Sequence, residues 1–347
     1  MRPVLKPALR RVWRDDTTLQ IGLDPQRAVV LGGVDATALR LLDALDGTRE
    51  AADVLRLARD LGIGERRGRT LLDLLGTAGL LDDAAAEYRL AAITDADRER
   101  LAPDIASLTL RREVPGGGQA TLADRQRAGV RIHGAGRIGA SLATLLAAAG
   151  VGRVDIRDGS LVRPADVAPA GAGTTDIGAR RDLSVMAAVA RVAPSTTTAP
   201  VVRPDIVVLT GAMAADPAVR DTLIRRGVPH LRADIRETTG VIGPLVVPGE
   251  SSCLRCHDLQ RRDRDTAWPR IAAQLAAPLR GGPEACDVVL ATAVATHAGL
   301  QVLAFLDGEP APATIDGTLE ITLPDGRVRR RSWSAHPACG CQWAVGA

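Results

Sequence analysis

The stretch Val130-Arg-Ile-His-Gly-Ala-Gly-Arg-Ile-Gly139 decides the fold of this chain. A short apolar strand runs into three glycines, Gly134, Gly136 and Gly139, and an apolar helix and a second strand follow. In a nucleotide-binding βαβ unit such glycines allow a tight turn, the approach of phosphate to the backbone and close helix–sheet packing. The helix N-terminus attracts phosphate, and Asp158 after the second strand can accept from ribose hydroxyls. The motif therefore predicts a nucleotide-shaped pocket.

The composition indicates a globular protein with more than one domain. The chain has 347 residues, of which 46% are hydrophobic, enough for two cores. Lys6 is its only lysine, which excludes a P-loop lysine or a Schiff base in the glycine-loop domain. With 44 basic and 41 acidic residues the net charge is +3, so bulk charge gives no argument for binding nucleic acid or a membrane.

The N-terminus and the cysteines bear on the compartment. Met1-Arg-Pro-Val-Leu-Lys-Pro lacks the apolar core of a signal peptide, and no uninterrupted apolar run of about 18 residues occurs. We therefore expect a cytoplasmic protein. In that compartment five cysteines favour metal or thiol chemistry over a disulfide framework.

Residues 1–90 are expected to form a small α+β domain. A hairpin around Asp15-Asp16-Thr17-Thr18 and a third strand at 28–31 precede three short helices, the first two capped by Asp35 and Thr48. Strands followed by three helices suggest a winged-helix-like module, which binds DNA through a helix or a peptide by strand addition. The basic cluster Glu65-Arg-Arg-Gly-Arg69 is compatible with contact to DNA phosphate and equally with an ordinary solvent-exposed helix start. We favour the interpretation that the module binds a peptide.

The rest of the chain reads as a connector and a second domain. Residues 91–128 contain a charged helix at 94–101 and a glycine-rich flexible break at 114–118. Over residues 129–347, alternating strands and helices predict a mostly parallel sheet. Beyond Gly240 the pattern predicts antiparallel strands. The predicted elements are strands at 204–209, 229–234, 241–247 and within 314–328, and helices at 141–149, 177–192, 214–226 and 286–306.

Two cysteine pairs, Cys253-Leu-Arg-Cys256 and Cys339-Gly-Cys341, have metal-ligand spacing. Four thiolates on two loops can hold a tetrahedral Zn²⁺, which would tie the C-terminal tail to the earlier loop. With His257 the first pair also matches a c-type haem attachment pattern, but haem would leave the second pair without a role.

Other candidate residues have simpler alternatives. Cys286 precedes a predicted helix, whose N-terminus would stabilise a reactive thiolate. Packing at the helix start is the more common role, so Cys286 is a weak catalytic candidate. His133 and His230 lie in strands and are expected to be core or rim residues.

The glycine loop, the C-x-x-C pair and the terminal C-x-C pair, in this order over residues 129–341, resemble the ThiF/MoeB superfamily of ubiquitin-activating-like adenylyltransferases. The segment Lys6-Pro-Ala-Leu-Arg-Arg-Val-Trp13 looks like part of the leader-peptide-recognition domain of ocin-type proteins in thiazole/oxazole-modified peptide biosynthesis. The resemblance implies a Rossmann-like fold and a homodimer. It also implies ATP·Mg²⁺, whose α-phosphate is attacked by the C-terminal carboxylate of a small protein.

The sequence departs from that family at several positions. The resemblance places the family's ribose aspartate at Asp158 and its lysine at Arg181, but the Asn-Leu-x-Arg-Gln segment reads Asp166-Val-Ala-Pro169-Ala170. The metal-binding aspartate falls at Gly211. Phosphoryl transfer needs these charges, so we expect adenylation to be lost. Substitutes could come from Arg163, Arg180 or Asp216.

Three hypotheses follow. The first is a ThiF-like protein with a degenerate ATP site that binds a ribosomal precursor peptide and presents it to a YcaO-type cyclodehydratase. The second is an active adenylyltransferase that acts on the C-terminal carboxylate of a small protein, for example in sulfur transfer. The third and weakest is a DNA-binding regulator that uses the winged-helix-like module.

Overall fold

The fold is described by a computed structural model that covers residues 1–85, 93–211, 216–275 and 284–342. The chain divides into two compact units, Met1–Asp124 and Arg125–Ala347. The start of the helix predicted at 214–226 and the end of the predicted 1–90 domain lie outside the described residues. The predicted division at residues 90 and 128 stays a prediction.

The first unit combines small antiparallel sheets with short helices. Strand β3 pairs with β2 and β4, and β1 pairs with β5, all antiparallel. Leu19 and Ile21 of β3 pack with Leu41, Leu42 and Leu75 from the helices. The predicted hairpin and third strand are confirmed. The elements are β1 (Pro3–Leu5), β2 (Arg11–Trp13), β3 (Leu19–Ile21), β4 (Val29–Leu31), α1 (Ala36–Asp43), α2 (Ala51–Asp60), α3 (Glu65–Thr77), β5 (Leu81–Asp83), α4 (Asp95–Arg100), α5 (Ala102–Arg111) and α6 (Gly117–Arg127).

Local chemistry explains where these helices start. Asp35 caps α1, and its carboxylate accepts from the Ala38 amide at 2.7 Å, as predicted. The prediction that Thr48 caps α2 is wrong, because its hydroxyl donates to Asp46 and the helix begins after Glu50.

The predicted flexible break at 114–118 is confirmed in part as a short turn, because residues 112–116 are non-helical and separate α5 from α6. Helix α6 begins at Gly117, inside that stretch. A Cβ at Gly118 would lie 2.6 Å from the backbone nitrogen of Thr109 and 2.8 Å from its Cα. These glycines therefore let α6 approach α5 closely, a packing role that composition alone does not distinguish from flexibility.

The second unit contains a seven-stranded sheet in the described residues. Its order is β12-β11-β10-β9-β8-β6-β7, with β7, β6, β8 and β9 parallel and β9 to β12 antiparallel. This confirms the predicted mixed α/β fold. The elements are β6 (Gly129–His133), α7 (Arg137–Ala148), β7 (Arg153–Arg157), α8 (Arg181–Val192), β8 (Ile206–Thr210), α9 (Pro217–Arg225), β9 (His230–Arg236), β10 (Thr239–Val246), α10 (Leu254–Arg264), α11 (Trp268–Leu275), α12 (Val288–Leu306), β11 (Gly317–Thr322) and β12 (Arg327–Ser332).

The core of this unit lies between the sheet and helices α7, α8 and α12. Every residue of β8 is buried, as a continuous apolar run at the centre of a sheet requires. Helix α12 is long and apolar enough to cross a membrane by length and composition. Its residues Leu290, Val294, Ala298 and Val302, however, are buried in the protein core with α7 and the strands.

One predicted helix starts later than expected. Residues Thr174–Asp176 form a 3₁₀ turn, in which the Asp176 carboxylate accepts from the Gly173 amide at 2.7 Å. Gly178 then has φ +90°, so α8 begins only at Arg181 and not at Ile177. This shift leaves Arg181 at the first position of the helix.

Candidate functional site

The glycine loop joins β6 to α7 at the carboxyl ends of the parallel strands. Gly134 has φ +95°, a left-handed conformation that side chains rarely adopt. A Cβ at Gly139 would collide with the carbonyl oxygen of Gly134 and lie 3.2 Å from Thr210 Oγ1. A Cβ at Gly136, in contrast, would meet nothing within 4 Å. Two of the glycines are thus needed for packing, whereas Gly136 opens into free space.

That space is a cavity of about 1220 Å³, large enough for a nucleotide and more. No side chain caps α7, so its first amides face the cavity with the positive end of the helix dipole. Arg137, the first helical residue, also lines the cavity. Its Nη1 donates to the carbonyl of Cys286 at 2.6 Å, and its buried Nε has no hydrogen-bond partner among the described residues. This end of the cavity is suited to an anion.

Asp158 lies at the end of β7, beside the glycine loop. Its carboxylate accepts from the Ala135 amide at 2.8 Å and from the Ser160 amide at 2.9 Å. Burial disfavours the charged carboxylate, but these backbone donors and Arg181 outweigh it and hold the pKa of Asp158 below its usual value. Asp158 is therefore an anchored, ionised acceptor on the cavity wall.

Arg181 is engaged by carboxylates. Its guanidinium lies 2.6 Å from Asp166 and 3.5 Å from Asp158, and its side chain is 13% exposed. The structure thus brings Arg181 and Asp158 together, but the charge of Arg181 is balanced locally. An incoming phosphate would have to compete with Asp166 for it.

Gly211 follows β8 and lines the cavity without a side chain. Strand β9 runs beside β8 with Thr210 opposite Ala233, so the next pair in this register is Gly211 and Asp234. Asp234 also lines the cavity, and its carboxylate lies 3.2 Å from Arg232. A carboxylate therefore stands at the level of Gly211, but on the neighbouring strand.

The other residues suggested as substitutes for the missing family charges lie partly inside and partly outside the cavity. Arg163 and Arg180 line the cavity, where they pair with Asp166 at 3.7 Å and Asp182 at 2.5 Å. Asp216 instead caps α9 by accepting from the Ala218 amide at 2.8 Å, and it is not among the cavity-lining residues. Pro169 is exposed in a turn, also outside that set.

Cys286 lines the cavity on the side of α12. The expected stabilisation of its thiolate by the helix N-terminus is not found, because burial raises the pKa of the Cys286 thiol. The carboxylate of Asp287 occupies this helix end, because it caps α12 by accepting from the amides of Val289 and Leu290 at 2.9 Å, and its charge is a minor further cause of the raised pKa of Cys286. A catalytic role for Cys286 stays a prediction.

The four remaining cysteines converge on one point. The Sγ atoms of Cys253, Cys256, Cys339 and Cys341 all lie within 4.8 Å of one another. The separations are 3.8 Å for Cys253–Cys256, 3.6 Å for Cys253–Cys339 and 3.4 Å for Cys256–Cys341. Tetrahedral Zn–S bonds of about 2.3 Å place sulfur atoms about 3.8 Å apart. The cluster can therefore hold a metal ion, and its donor set fits zinc.

The cluster is largely buried, but Cys253, Cys339 and Cys341 also line a cavity of about 280 Å³. The pKa of Cys256 is lowered to about 4 by the hydrogen bond from Cys253, whose own pKa is raised by that bond and by burial. His257 is buried and stacks on Trp333 at 4.3 Å between ring centroids. His230 is fully buried, and burial lowers its pKa to about 4. Burial likewise lowers the pKa of His257, and both histidines are core residues, as expected for His230.

The comparisons with known proteins agree with this architecture. The model of the ThiF family matches residues 110–342. The chain belongs to the ThiF family. No curated protein matches it by sequence.

Solved structures extend this likeness to nearly the whole chain. E. coli MccB with AMPCPP and selenomethionine-labelled MccA has a TM-score of 0.73 and 14% identity, over 99% of each chain. E. coli MccB with ATP has a TM-score of 0.72 and 14% identity, over 98% of this chain and 99% of MccB. PaaA has a TM-score of 0.68 and 16% identity, over 94% of this chain and 99% of PaaA. At such identities the likeness is one of fold.

The sequence motifs do not by themselves identify two further candidate residues of this cavity, Arg137 and Asp234. Arg137 occupies a variable position of the glycine motif, and the motif itself marks it as the first residue of the helix that points at the ligand. Asp234 ends a predicted strand, and ligands in such sheets bind beyond the carboxyl ends of the strands. Its position next to Gly211 depends on the strand order, which the sequence does not specify.

Proposed function

We propose that this ThiF-family protein binds a peptide and ATP and adenylylates the C-terminal carboxylate of the peptide. The observation that carries the proposal is the uncapped N-terminus of α7 with Arg137, opening into the cavity beside Asp158. Complexes of MccB with ATP and with MccA, its precursor peptide, support both ligands. The geometry thus favours an active site over the degenerate one that Pro169 and Gly211 led us to expect.

The reaction uses groups that the cavity offers. A carboxylate oxygen of the peptide attacks the α-phosphorus of ATP, the bond from that phosphorus to the bridging oxygen breaks, and pyrophosphate leaves with the electron pair. Arg137 and the amides of α7 would stabilise the charge on the phosphates, and Asp158 would accept from the ribose. Asp234 would hold the Mg²⁺, which neutralises phosphate charge when it is bound.

ATP–pyrophosphate exchange tests this proposal with the full-length protein and the peptides encoded beside its gene. Arg137→Gln and Asp234→Asn should each reduce exchange by about 100-fold, since each removes a charge aimed at the phosphates or the metal. Asp216→Asn is the matched control, because asparagine caps a helix as well as aspartate. Exchange that is unaffected by the first two changes would contradict the assignment.

A second candidate is the presentation of a leader peptide to a YcaO-type cyclodehydratase, without adenylylation. The pairing of Arg181 with Asp166 and the missing side chain at Gly211 favour it. Peptide binding without any exchange, together with stimulation of a co-encoded YcaO enzyme, would select this function over the first.

The first unit is our candidate for capturing the peptide. Strand β2 is an edge of its small sheet, and Trp13 at its end is 49% exposed. An extended peptide can add to such an edge and cover the ring. DNA binding is less favoured, because Arg69 of α3 pairs with Glu65 at 2.9 Å. Fluorescence anisotropy with a labelled leader peptide should show roughly tenfold weaker binding for Trp13→Ser.

The cysteine cluster is proposed to hold a structural Zn²⁺, which joins the C-terminal tail to the start of α10. We also propose a cytoplasmic homodimer. Leu145 of α7 and Val289 and Leu300 of α12 are exposed and apolar, as an interface between copies requires. Sedimentation velocity measures that assembly, and a monomer at micromolar concentration would argue against it.

A further inference from the structure

One face of the antiparallel half of the sheet is charged, whereas the other face belongs to the core. Asp234 of β9 lies opposite Val241, Val241 opposite Glu320, and Glu320 opposite Arg329 of β12. Side chains alternate along each strand, so the neighbours two residues away share this face. The arginines on it are Arg232 and Arg236 of β9 and Arg327, Arg329 and Arg331 of β12.

Trp333 follows β12 on the same face, and its indole nitrogen donates to Thr318 Oγ1 at 3.1 Å. Helix α10 supplies further arginines to this ring. The guanidinium carbons of Arg261, Arg264 and Arg331 lie 5.1, 5.8 and 5.9 Å from its centroid. We call the set Arg236, Arg261, Arg264, Arg329, Arg331 and Trp333 the arginine–tryptophan face.

Positive charge on this face exceeds the carboxylates available to balance it. Arg331 pairs with Glu320 at 3.3 Å and Arg261 with Asp258 at 3.6 Å, but Asp258 also binds Arg220. Burial, followed by the charges of Arg236 and Arg232, lowers the pKa of Arg261 to about 10. Exposed arginines that pair with no carboxylate among the described residues are Arg236, Arg264 and Arg329. An anionic partner would relieve their repulsion.

The geometry favours a peptide as that partner over a nucleic acid. Strand β12 is an edge of the described sheet, and one side of its backbone is open for pairing with an extended chain. Arg327, Arg329 and Arg331 recur at every second residue, which is the spacing of side chains on a partner strand. Trp333 is 5% exposed, so it offers no surface on which a base could stack.

We infer that the arginine–tryptophan face binds an extended acidic segment of the peptide substrate, with carboxylates at alternating positions. Asp234 and Ile235 line the cavity and Arg236 follows them on β9, so the face begins where the cavity ends. This inference rests on the proposed function in that it takes a peptide as the substrate.

The test measures the anisotropy of a fluorescein-labelled twelve-residue Glu-Thr repeat with the full-length protein. A Gln-Thr repeat and a single-stranded oligonucleotide of equal length serve as comparison ligands. The triple variant Arg236→Gln, Arg264→Gln, Arg329→Gln removes the arginines that lack carboxylate partners. Its matched control, Arg191→Gln, Arg203→Gln, Arg226→Gln, removes the same charge from exposed positions elsewhere in the second unit.

The Glu-Thr peptide should bind more tightly than the Gln-Thr peptide, with an affinity that falls as salt rises. The triple variant should bind it about tenfold more weakly, and the control should bind as the parent does. Equal binding of both peptides, equal losses in both variants or tighter binding of the oligonucleotide would each overturn the inference. ATP affinity is measured in the same samples. An absence of ATP binding would contradict the proposed function, whereas equal binding of the two peptides would contradict the inference about the arginine–tryptophan face.

Discussion

Alanine substitutions at two residues of the glycine loop should have different effects. Gly139→Ala should destabilise the fold, whereas Gly136→Ala should weaken ATP binding. A Cβ at Gly139 would collide with the carbonyl oxygen of Gly134 and lie 2.9 Å from its carbonyl carbon. Both atoms belong to backbone that is held between β6 and α7, so they cannot swing aside. A Cβ at Gly136 meets no atom within 4 Å and projects beside the cavity.

The magnitudes follow from this geometry. Overpacking at such a contact destabilises the protein by about 3 kcal/mol. The better helix propensity of alanine offsets up to about 1 kcal/mol of this, so Gly139→Ala should lower the free energy of unfolding by about 2 kcal/mol. Gly136 is the N-cap residue with φ −75°, which alanine can adopt. Gly136→Ala should therefore cost less than about 1 kcal/mol.

Urea unfolding followed by circular dichroism measures the stability, and calorimetric titration with ATP measures binding. Gly136→Ala should keep nearly the parent midpoint but bind ATP at least about tenfold more weakly, since the methyl group would occupy the path of a phosphate. The reasoning is refuted if Gly139→Ala is as stable as the parent, or if Gly136→Ala binds ATP normally.

Three further predictions concern stability and metal content. Asp307→Asn should cost about 3–5 kcal/mol in urea unfolding, because the side chains of Arg125 and Asp307 are 4% and 0% exposed and lie 2.7 Å apart. Asp43→Asn, in the solvent-accessible pair of Asp43 with Arg11, should cost less than about 1 kcal/mol. Cys256→Ser should abolish the zinc measured by plasma mass spectrometry and lower Tm by about 4–8 °C, whereas Cys286→Ser should retain the metal. The pKa of buried His230 is lowered from 6.5 to about 4, so its contribution is fully present above pH 6.5 and is lost as the pH falls towards 4. That loss can reach about 3 kcal/mol. His230→Gln should flatten the pH dependence between these values, and an unchanged slope would show that the imidazole titrates normally.

The sequence by itself determined the local features of this protein. The spacing of Gly134, Gly136 and Gly139 specified a strand, a tight turn and a helix, because Gly134 and Gly139 meet short-range steric needs that the structure confirms, and Gly136 leaves the space beside the helix start open. The alternation of strands and helices likewise specified the parallel sheet. The cysteine pairs specified a metal-binding cluster, since four soft donors at knuckle spacing have few other uses.

Only the tertiary structure decided which charges meet. Gly211 and Asp234 become neighbours because β9 lies beside β8, and Arg181 is balanced by Asp166 because a loop folds back onto the start of α8. The arginines of β12 and α10 surround Trp333 through a strand order and a helix position that no local pattern encodes. Electrostatic energy depends on distances in space, and residues far apart in the chain acquire those distances only when the sheet is assembled.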